Sequence, residues 1–154
     1  MDAEQNYISI NKQAWNKKTP VHFESEFYNN KDFIAGKNSL NSFELELLGD
    51  VKGKKILHLQ CHFGQDSISL ARMGAEVTGV DLSDVSVKMA NELSDKTNTP
   101  VRFVECDLYS LADVLDEKFD IVFTSYGTIG WLPDMDKWAN VVSHFLRPGG
   151  QFVF

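Results

Sequence analysis

Three features are scarce or missing in this sequence, and each absence excludes a class of protein. No stretch approaches the ~18 consecutive apolar residues of a membrane-spanning helix, and residues Met1–Glu4 do not begin a signal peptide. The 15 Lys and Arg residues are outnumbered by 22 Asp and Glu residues, which gives a net charge of −7. No basic cluster interrupts this acidic chain, so we expect no nucleic acid and no membrane as a partner. We expect a cytoplasmic protein with a small-molecule substrate.

Cysteine is scarce as well, which bears on both disulfides and metals. Cys61 and Cys106 lie in separate segments, and no local spacing pairs them, so reduced thiols are expected. A metal site that combined them with His58 and His62 would lack the usual C-x-x-C or H-x-x-x-H spacing. No metal is therefore predicted, and His58 is interpreted as a strand residue that hydrogen-bonds to a neighbouring segment.

The stretch Lys54–Asp81 organises the rest of the chain. Its short apolar run at Ile56–Leu59 is typical of a buried parallel strand, and a turn and a helical pattern follow. A second strand at Val77–Val80 ends on Asp81. An acidic side chain at that strand end can accept hydrogen bonds from ribose hydroxyls, so the stretch predicts a nucleotide-binding βαβ unit. The same pattern also occurs in doubly wound folds that bind no nucleotide, which stays as an alternative at this point.

Glycine is scarce in the turn after the first strand. Gln60 and His62 stand where a dinucleotide-binding loop needs glycines, and only Gly64 is present in the turn. This argues against an NAD(P)-linked oxidoreductase, which stays as an alternative. A nucleoside cofactor without a pyrophosphate would tolerate side chains in this loop.

The remaining segments favour an α/β fold with a doubly wound, mostly parallel sheet. With 154 residues and 43% hydrophobic composition, one domain with a real core is expected. Ser83 is a predicted helix N-cap. Asp107 either lies at a strand's carboxyl end in a ligand site or caps a helix over residues 108–115. Further strands are predicted at 101–104, at 119–124 in the sheet interior, and from 152 onward.

Residues 1–39 are predicted to form a helical, aromatic-rich cap, and residues 40–154 the cofactor-binding domain. A short helix is expected at Asn6–Lys18, closed by Pro20. An arm with several aromatic residues follows. These aromatics either cover the sheet or form a lid over the cofactor. They are Phe23, Phe27, Tyr28 and Phe33.

Four segments in order resemble the class I S-adenosylmethionine-dependent methyltransferases. Leu57–Gly64 resembles the family's first motif, although His58 replaces its acidic residue and Gln60 and His62 replace two glycines. The other three segments are Val77–Asp81, which is similar to the second motif, Glu105–Asp107, which looks like the adenine-contacting segment, and Leu146–Gly150, which resembles the turn into the fifth strand. The resemblance covers about residues 47–154.

This resemblance implies a Rossmann-like methyltransferase fold, S-adenosylmethionine as cofactor and methyl transfer to a small molecule. Gln60–Gly64 would lie along the methionine part, Asp81 would hold the ribose and Asp107 the adenine amino group. The altered first motif leaves a non-catalytic cofactor-binding domain as an alternative. The expected cofactor-binding residues are His58, Gln60, Cys61, His62, Gly64, Asp81, Leu82, Cys106, Asp107, Leu108 and Ser125. Tyr126, Trp131 and Trp15 are assigned to the substrate side, and His62 and Tyr126 are candidate bases.

The carboxyl-terminal residues predict an open sheet edge. Phe154 lies within the expected fifth strand, whereas the family's sheet has two further strands, so the domain is expected to be truncated after the fifth strand. An edge strand with apolar residues and no covering element is a template for pairing. We expect self-association through this edge, or a longer polypeptide that covers it.

Overall fold

The computed structural model describes residues 3–154, with side chains from Asn6 onward. Five strands form one parallel sheet in the order β3-β2-β1-β4-β5, which confirms the predicted doubly wound α/β fold and the interior position of β4. Because the order reverses between β1 and β4, a crevice opens at their carboxyl ends. The strands are β1 Lys55–Leu59, β2 Glu76–Asp81, β3 Arg102–Glu105, β4 Phe119–Thr124 and β5 Leu146–Val153.

Helices cover both faces of the sheet, and several begin at side-chain caps. Ser83 accepts a hydrogen bond from the Ser86 amide at the start of α5, as predicted, and Asp134 accepts from the Lys137 amide in α6. Within residues 3–154, no helix is both long and apolar enough to cross a bilayer. The α-helices are α1 Ala3–Phe23, α2 Asn30–Ile34, α3 Ser42–Leu48, α4 Gln65–Arg72, α5 Asp84–Lys96 and α6 Met135–Phe145. Two short 3₁₀ helices span Leu108–Asp113 and Ile129–Trp131.

The alternation of side chains along β1 divides the core between the two sheet faces. Leu57 and Leu59 belong to the cluster that α6 and the first 3₁₀ helix cover, where Phe145 is fully buried. Ile56 belongs to the opposite cluster, with Leu70 of α4. Every side chain of β1 from position 56 to 59 is therefore buried, as a central parallel strand requires.

Three local predictions were wrong. Pro20 does not close the first helix, since α1 continues to Phe23 with the proline in its last turns. The helix expected over 108–115 is a shorter 3₁₀ helix, Leu108–Asp113. The fifth strand begins at Leu146 rather than near Phe152, because Leu146 pairs with β4 before a bulge, and regular pairing resumes at Gln151.

Candidate functional site

A cleft at the carboxyl edge of the sheet brings most of the predicted site residues together. It holds about 850 Å³ of empty space, part of which is open to solvent. The predicted residues that line it are Trp15, Gln60, His62, Asp81, Leu82, Cys106, Asp107, Leu108, Ser125, Tyr126 and Trp131.

Asp81 ends β2 inside this cleft and is oriented by backbone amides. Its Oδ2 accepts a hydrogen bond from the His62 amide at 2.8 Å, and its Oδ1 accepts from the Ser83 amide at 2.9 Å. Burial raises the pKa of the Asp81 carboxyl to about 6, while these backbone hydrogen bonds act in the opposite direction. Each carboxylate oxygen keeps a further lone pair, so the side chain can accept two more hydrogen bonds from a ligand.

Asp107 both caps a helix and lines the cleft, so each of its two predicted positions is found in the structure. It is the N-cap of the first 3₁₀ helix, where its Oδ1 accepts from the Tyr109 amide at 3.4 Å and its Oδ2 accepts from the Ser110 hydroxyl at 3.3 Å. It also lines the cleft, between the buried Cys106 and Leu108. The capping interpretation is confirmed, although the predicted helix is shorter, and the adenine contact stays a prediction.

The loop after β1 keeps a glycine-like backbone without the glycines. Gln60 has φ +54° and His62 has φ +53°, both in the left-handed region that costs side-chain-bearing residues free energy. Gly64 follows at φ +79°, and a Cβ there would lie 2.5 Å from Cζ of Phe103. Gly64 is therefore required by packing, and it does not line the cleft.

The His62 ring is neutral at pH 7, and protein atoms contact both of its nitrogens. Nε2 lies 3.1 Å from Nδ1 of His22, and Nδ1 lies 3.3 Å from the Ser86 hydroxyl. Burial lowers the pKa of His62 to about 3, with a smaller contribution from the neighbouring His22. A role for His62 as a base would require one of these contacts to open.

His58 lies behind the cleft rather than in its lining. The ring is 1% exposed, with Nδ1 2.7 Å from the Ser67 hydroxyl and Nε2 3.3 Å from the Ser125 hydroxyl. Burial lowers the pKa of His58 to about 3, so the ring is neutral and can hold Ser125, which does line the cleft. This matches the interpretation of His58 as a strand residue bonded to neighbouring segments. Cys61 is also buried outside the lining, and burial raises the pKa of its thiol.

The predicted substrate-side aromatics come from distant parts of the chain. The Trp15 ring on α1 meets Trp131 edge-on at 5.1 Å between centroids. Nζ of Lys18 lies 4.5 Å from the Trp131 ring centroid and 5.2 Å from that of Trp15, at cation–π distance. Tyr126 is 72% exposed at the rim, where its hydroxyl contacts the Asn41 amide.

Helix α1 is fixed over the cleft by polar contacts. The Asn11 side-chain amide donates to the Trp131 carbonyl at 2.9 Å. The Ser83 hydroxyl donates to Oδ1 of Asn16 at 2.6 Å, and the Thr19 and Ser86 hydroxyls lie 2.7 Å apart. These contacts join α1 to the first turn of α5 and to the loop after β4.

Sequence reasoning missed several residues of the cleft. Asn11 and Leu132 line it, and nothing in their local pattern distinguishes them from surface residues. Tyr28 also lines it; its place in the aromatic arm was the available signal. His22 carried no sequence signal, because its contact with His62 depends on how α1 crosses the sheet edge.

The four residues weighed as a metal set are not assembled into one. Among the described side chains, no group of three or more His, Cys, Asp or Glu residues could hold a metal ion. Both cysteines are buried free thiols.

The fold is a doubly wound α/β domain, and its cleft lies at the point where the strand order reverses, which is where such folds bind ligands. Residues 56–150 match the family model described as a methyltransferase domain. The chain therefore belongs to the class I S-adenosylmethionine-dependent methyltransferase family.

The curated relatives that this chain matches are longer polypeptides than this one. The ubiquinone biosynthesis O-methyltransferase of Photorhabdus laumondii is 31% identical over 113 residues, which are 73% of this chain and 47% of the relative. The protein of the same name from Idiomarina loihiensis is 32% identical over 102 residues, which are 66% of this chain and 42% of the relative. The chain thus spans less than half the length of these two relatives.

Solved structures have the same fold. An S-adenosylmethionine-dependent methyltransferase from Mesorhizobium loti superposes with a TM-score of 0.61 at 26% identity, over 77% of this chain and 53% of that one. The magnesium protoporphyrin IX methyltransferase from Synechocystis PCC 6803, solved with bound SAM, has a TM-score of 0.65 at 20% identity, over 95% of this chain and 74% of that one. At that identity the second comparison supports the fold alone.

Proposed function

We propose that this chain binds S-adenosylmethionine in the cleft and transfers its methyl group to a hydroxyl oxygen of a small molecule. The observation that carries the proposal is Asp81, an amide-oriented carboxylate at the carboxyl end of β2 with acceptor capacity left for two ribose hydroxyls. The oxygen acceptor is suggested by the O-methyltransferase relatives. The same comparisons give no support to the oxidoreductase alternative.

The remaining lining fits the adenosine part of this cofactor. Leu82, Cys106 and Leu108 offer apolar surface on the β2–β3 side of the cleft, where a planar adenine would be held. Asp107 lies beside them and is the acceptor that the adenine amino group needs. The methionine part would then extend along the loop that begins at Gln60, toward β4.

The chain's own part in the reaction is binding and alignment. The bound sulfonium supplies the methyl group and the driving force, so the residues mainly have to orient the acceptor and exclude water. Trp15 and Trp131 form an aromatic wall on the acceptor side, and Lys18 adds a positive charge at that wall. We assign residues 1–39 the role of a cap over this region.

The proposal predicts a clear ligand preference. S-adenosylhomocysteine should raise the melting temperature more than NADH at matched concentration, because the cleft has acceptors for adenosine but no glycine loop for a pyrophosphate. Equal or reversed shifts would contradict it. Methyl transfer from labelled cofactor to a panel of phenols and alcohols then separates an enzyme from a non-catalytic binding domain, which would bind without turnover.

A further inference from the structure

A hydrogen-bond chain connects helix α1 to the His62 ring, and the direction of each bond in it can be deduced. The Thr19 hydroxyl donates to the Trp15 carbonyl at 2.7 Å, and a carbonyl can only accept. A hydroxyl carries a single hydrogen, so the contact of 2.7 Å between the Thr19 and Ser86 hydroxyls is made by the hydrogen of Ser86. Ser86 therefore has no hydrogen left to donate to His62.

This chain fixes the tautomers of two histidines. Nδ1 of His62 lies 3.3 Å from the Ser86 hydroxyl oxygen, so this nitrogen is the donor. Because burial keeps the His62 ring neutral at pH 7 by lowering its pKa to about 3, its Nε2 carries a lone pair. Nδ1 of His22 lies 3.1 Å from that nitrogen and donates to it. Partners on α1 and α5 thus engage both nitrogens of His62 and fix the orientation of its ring.

The orientation of His62 matters because the same residue contacts Asp81. His62 lies in a turn that the Gly64 amide closes on the Cys61 carbonyl at 2.9 Å. Its φ of +53° is a left-handed conformation, which a side-chain-bearing residue keeps only when its surroundings impose it. In this conformation the His62 backbone amide donates to Oδ2 of Asp81 at 2.8 Å. The hydrogen bonds of the ring supply the constraint that this conformation needs.

We propose that His22 is a positioning residue for the ribose site: its Nδ1–H orients the His62 ring, and the residue so oriented directs its backbone amide at Asp81. This inference rests on the proposed function, in which Asp81 accepts hydrogen bonds from the ribose hydroxyls. Helix α1 then does more than cover the cleft, since one of its side chains acts on the carboxylate that holds the cofactor. His22 acts through His62 and is not a catalytic residue.

The test compares two ligands on the wild type and two variants by displacement calorimetry, which also measures weak binding. The ligands are S-adenosylhomocysteine and its 2′,3′-dideoxy analogue, which lacks the hydroxyls that Asp81 would hold. His22→Ala should lower the affinity for S-adenosylhomocysteine about fivefold, as expected when one hydrogen bond is lost. Its affinity for the dideoxy analogue should change less than about twofold. His22→Asn places an amide N–H near the position of Nδ1 and should restore the affinity to within about twofold of the wild type.

The pH dependence of binding provides a readout that a purely structural contribution of His22 would not change. The His62 amide stabilises the charged form of Asp81. This hydrogen bond is weaker in His22→Ala, so the pKa of Asp81, about 6 in the wild type, should rise, and the affinity should level off at a higher pH. Lys18, Tyr28 and His62 face His22 and are unchanged in both variants. Asparagine does not titrate, so a pH dependence restored by His22→Asn does not come from ionisation of His22.

Asn16→Ala is the matched control on the same helix. It removes contacts with Ser83 and Asp84 but none with His62, so it should affect the two ligands equally. The melting temperature of each variant checks that it is folded.

Three results would overturn the inference. The first is an equal loss of affinity for both ligands in His22→Ala, and the second is no loss for either ligand. The third is an asparagine variant that behaves like the alanine variant. Failure of the wild-type protein to bind S-adenosylhomocysteine at all would instead refute the proposed function, and the inference with it.

Discussion

Among single residues, Asp81 links the ionisation of the cleft to ligand binding. Burial raises the pKa of its carboxyl to about 6, above its ordinary value of 3.8. The folded protein therefore holds a proton on Asp81 over a pH range in which the unfolded chain has lost it. Across that window, from about 3.8 to about 6, this group's contribution to the free energy of unfolding falls as the pH rises.

Ligand binding should show the opposite pH dependence. Ribose hydroxyls donate best to the charged carboxylate, so affinity for S-adenosylhomocysteine is expected to rise with pH through about 6 and to level off above. Asp81→Asn should lower the affinity at pH 7.5 at least about tenfold and remove that pH dependence. Calorimetry between pH 5 and 8 in matched buffers measures both effects.

Asp81→Ala provides the structural control for this prediction. The carboxylate also accepts from two backbone amides, so some loss of stability is expected, but the variant should remain folded. A variant that melts far below the wild type, yet binds normally once folded, would show that Asp81 is structural and that the ribose assignment is wrong.

Among the secondary-structure elements, the hydrogen-bonded contact between α1 and α5 contributes to the free energy of unfolding, and this contribution can be measured. Ser83 caps α5 through its hydroxyl oxygen and donates the same hydroxyl to Asn16 of α1. Ser83→Ala should lower the free energy of unfolding by roughly 2 kcal/mol, the sum of an N-cap and a buried hydrogen bond. Asp134→Ala removes the side-chain cap of α6, which has no such link to α1, and should cost about 1 kcal/mol. Urea denaturation of both variants measures the difference, and equal losses would mean that the Asn16 contact adds no stability.

The same elements show how far the sequence alone could go. The first four strands, α5 and α6 were predictable because apolar runs and capping residues such as Ser83 and Asp134 are local signals, whereas the start of β5 was not. The carboxyl-terminal end of α1 was not predictable. A proline near a helix end is tolerated when the flanking residues pack, as Thr19 does against α5. The contacts of His22 and Asn11 with the cleft could not be predicted from the sequence either, because they arise only from tertiary packing.

At the scale of the whole molecule, the unpaired side of β5 at the edge of the sheet predicts self-association of the protein. Among residues 3–154, β5 pairs with β4 and with no second strand. Phe152 of β5 stacks on Phe154, which follows the strand and is 66% exposed. We predict that a polypeptide of these 154 residues self-associates at micromolar concentration through this edge.

Sedimentation velocity tests this prediction. Phe154→Lys places a charge beside the edge and should shift the protein toward monomer. Phe27→Lys is the matched control, because Phe27 is 88% exposed and lies between α1 and α2 rather than in the edge strand, so the substitution should have no effect. A wild-type polypeptide that sediments as a clean monomer would contradict the prediction.

The position of α1 has a consequence for the rates of binding. If the cofactor binds in the cleft as proposed, the contacts from Asn11, Asn16 and Thr19 hold α1 at its rim, so we expect these contacts to slow the dissociation of the ligand. The ion pair of Lys12 with Glu105, at 2.5 Å between charged atoms near the surface, also holds α1. Salt screens such a pair, so we expect a higher ionic strength to shorten the residence time of the ligand.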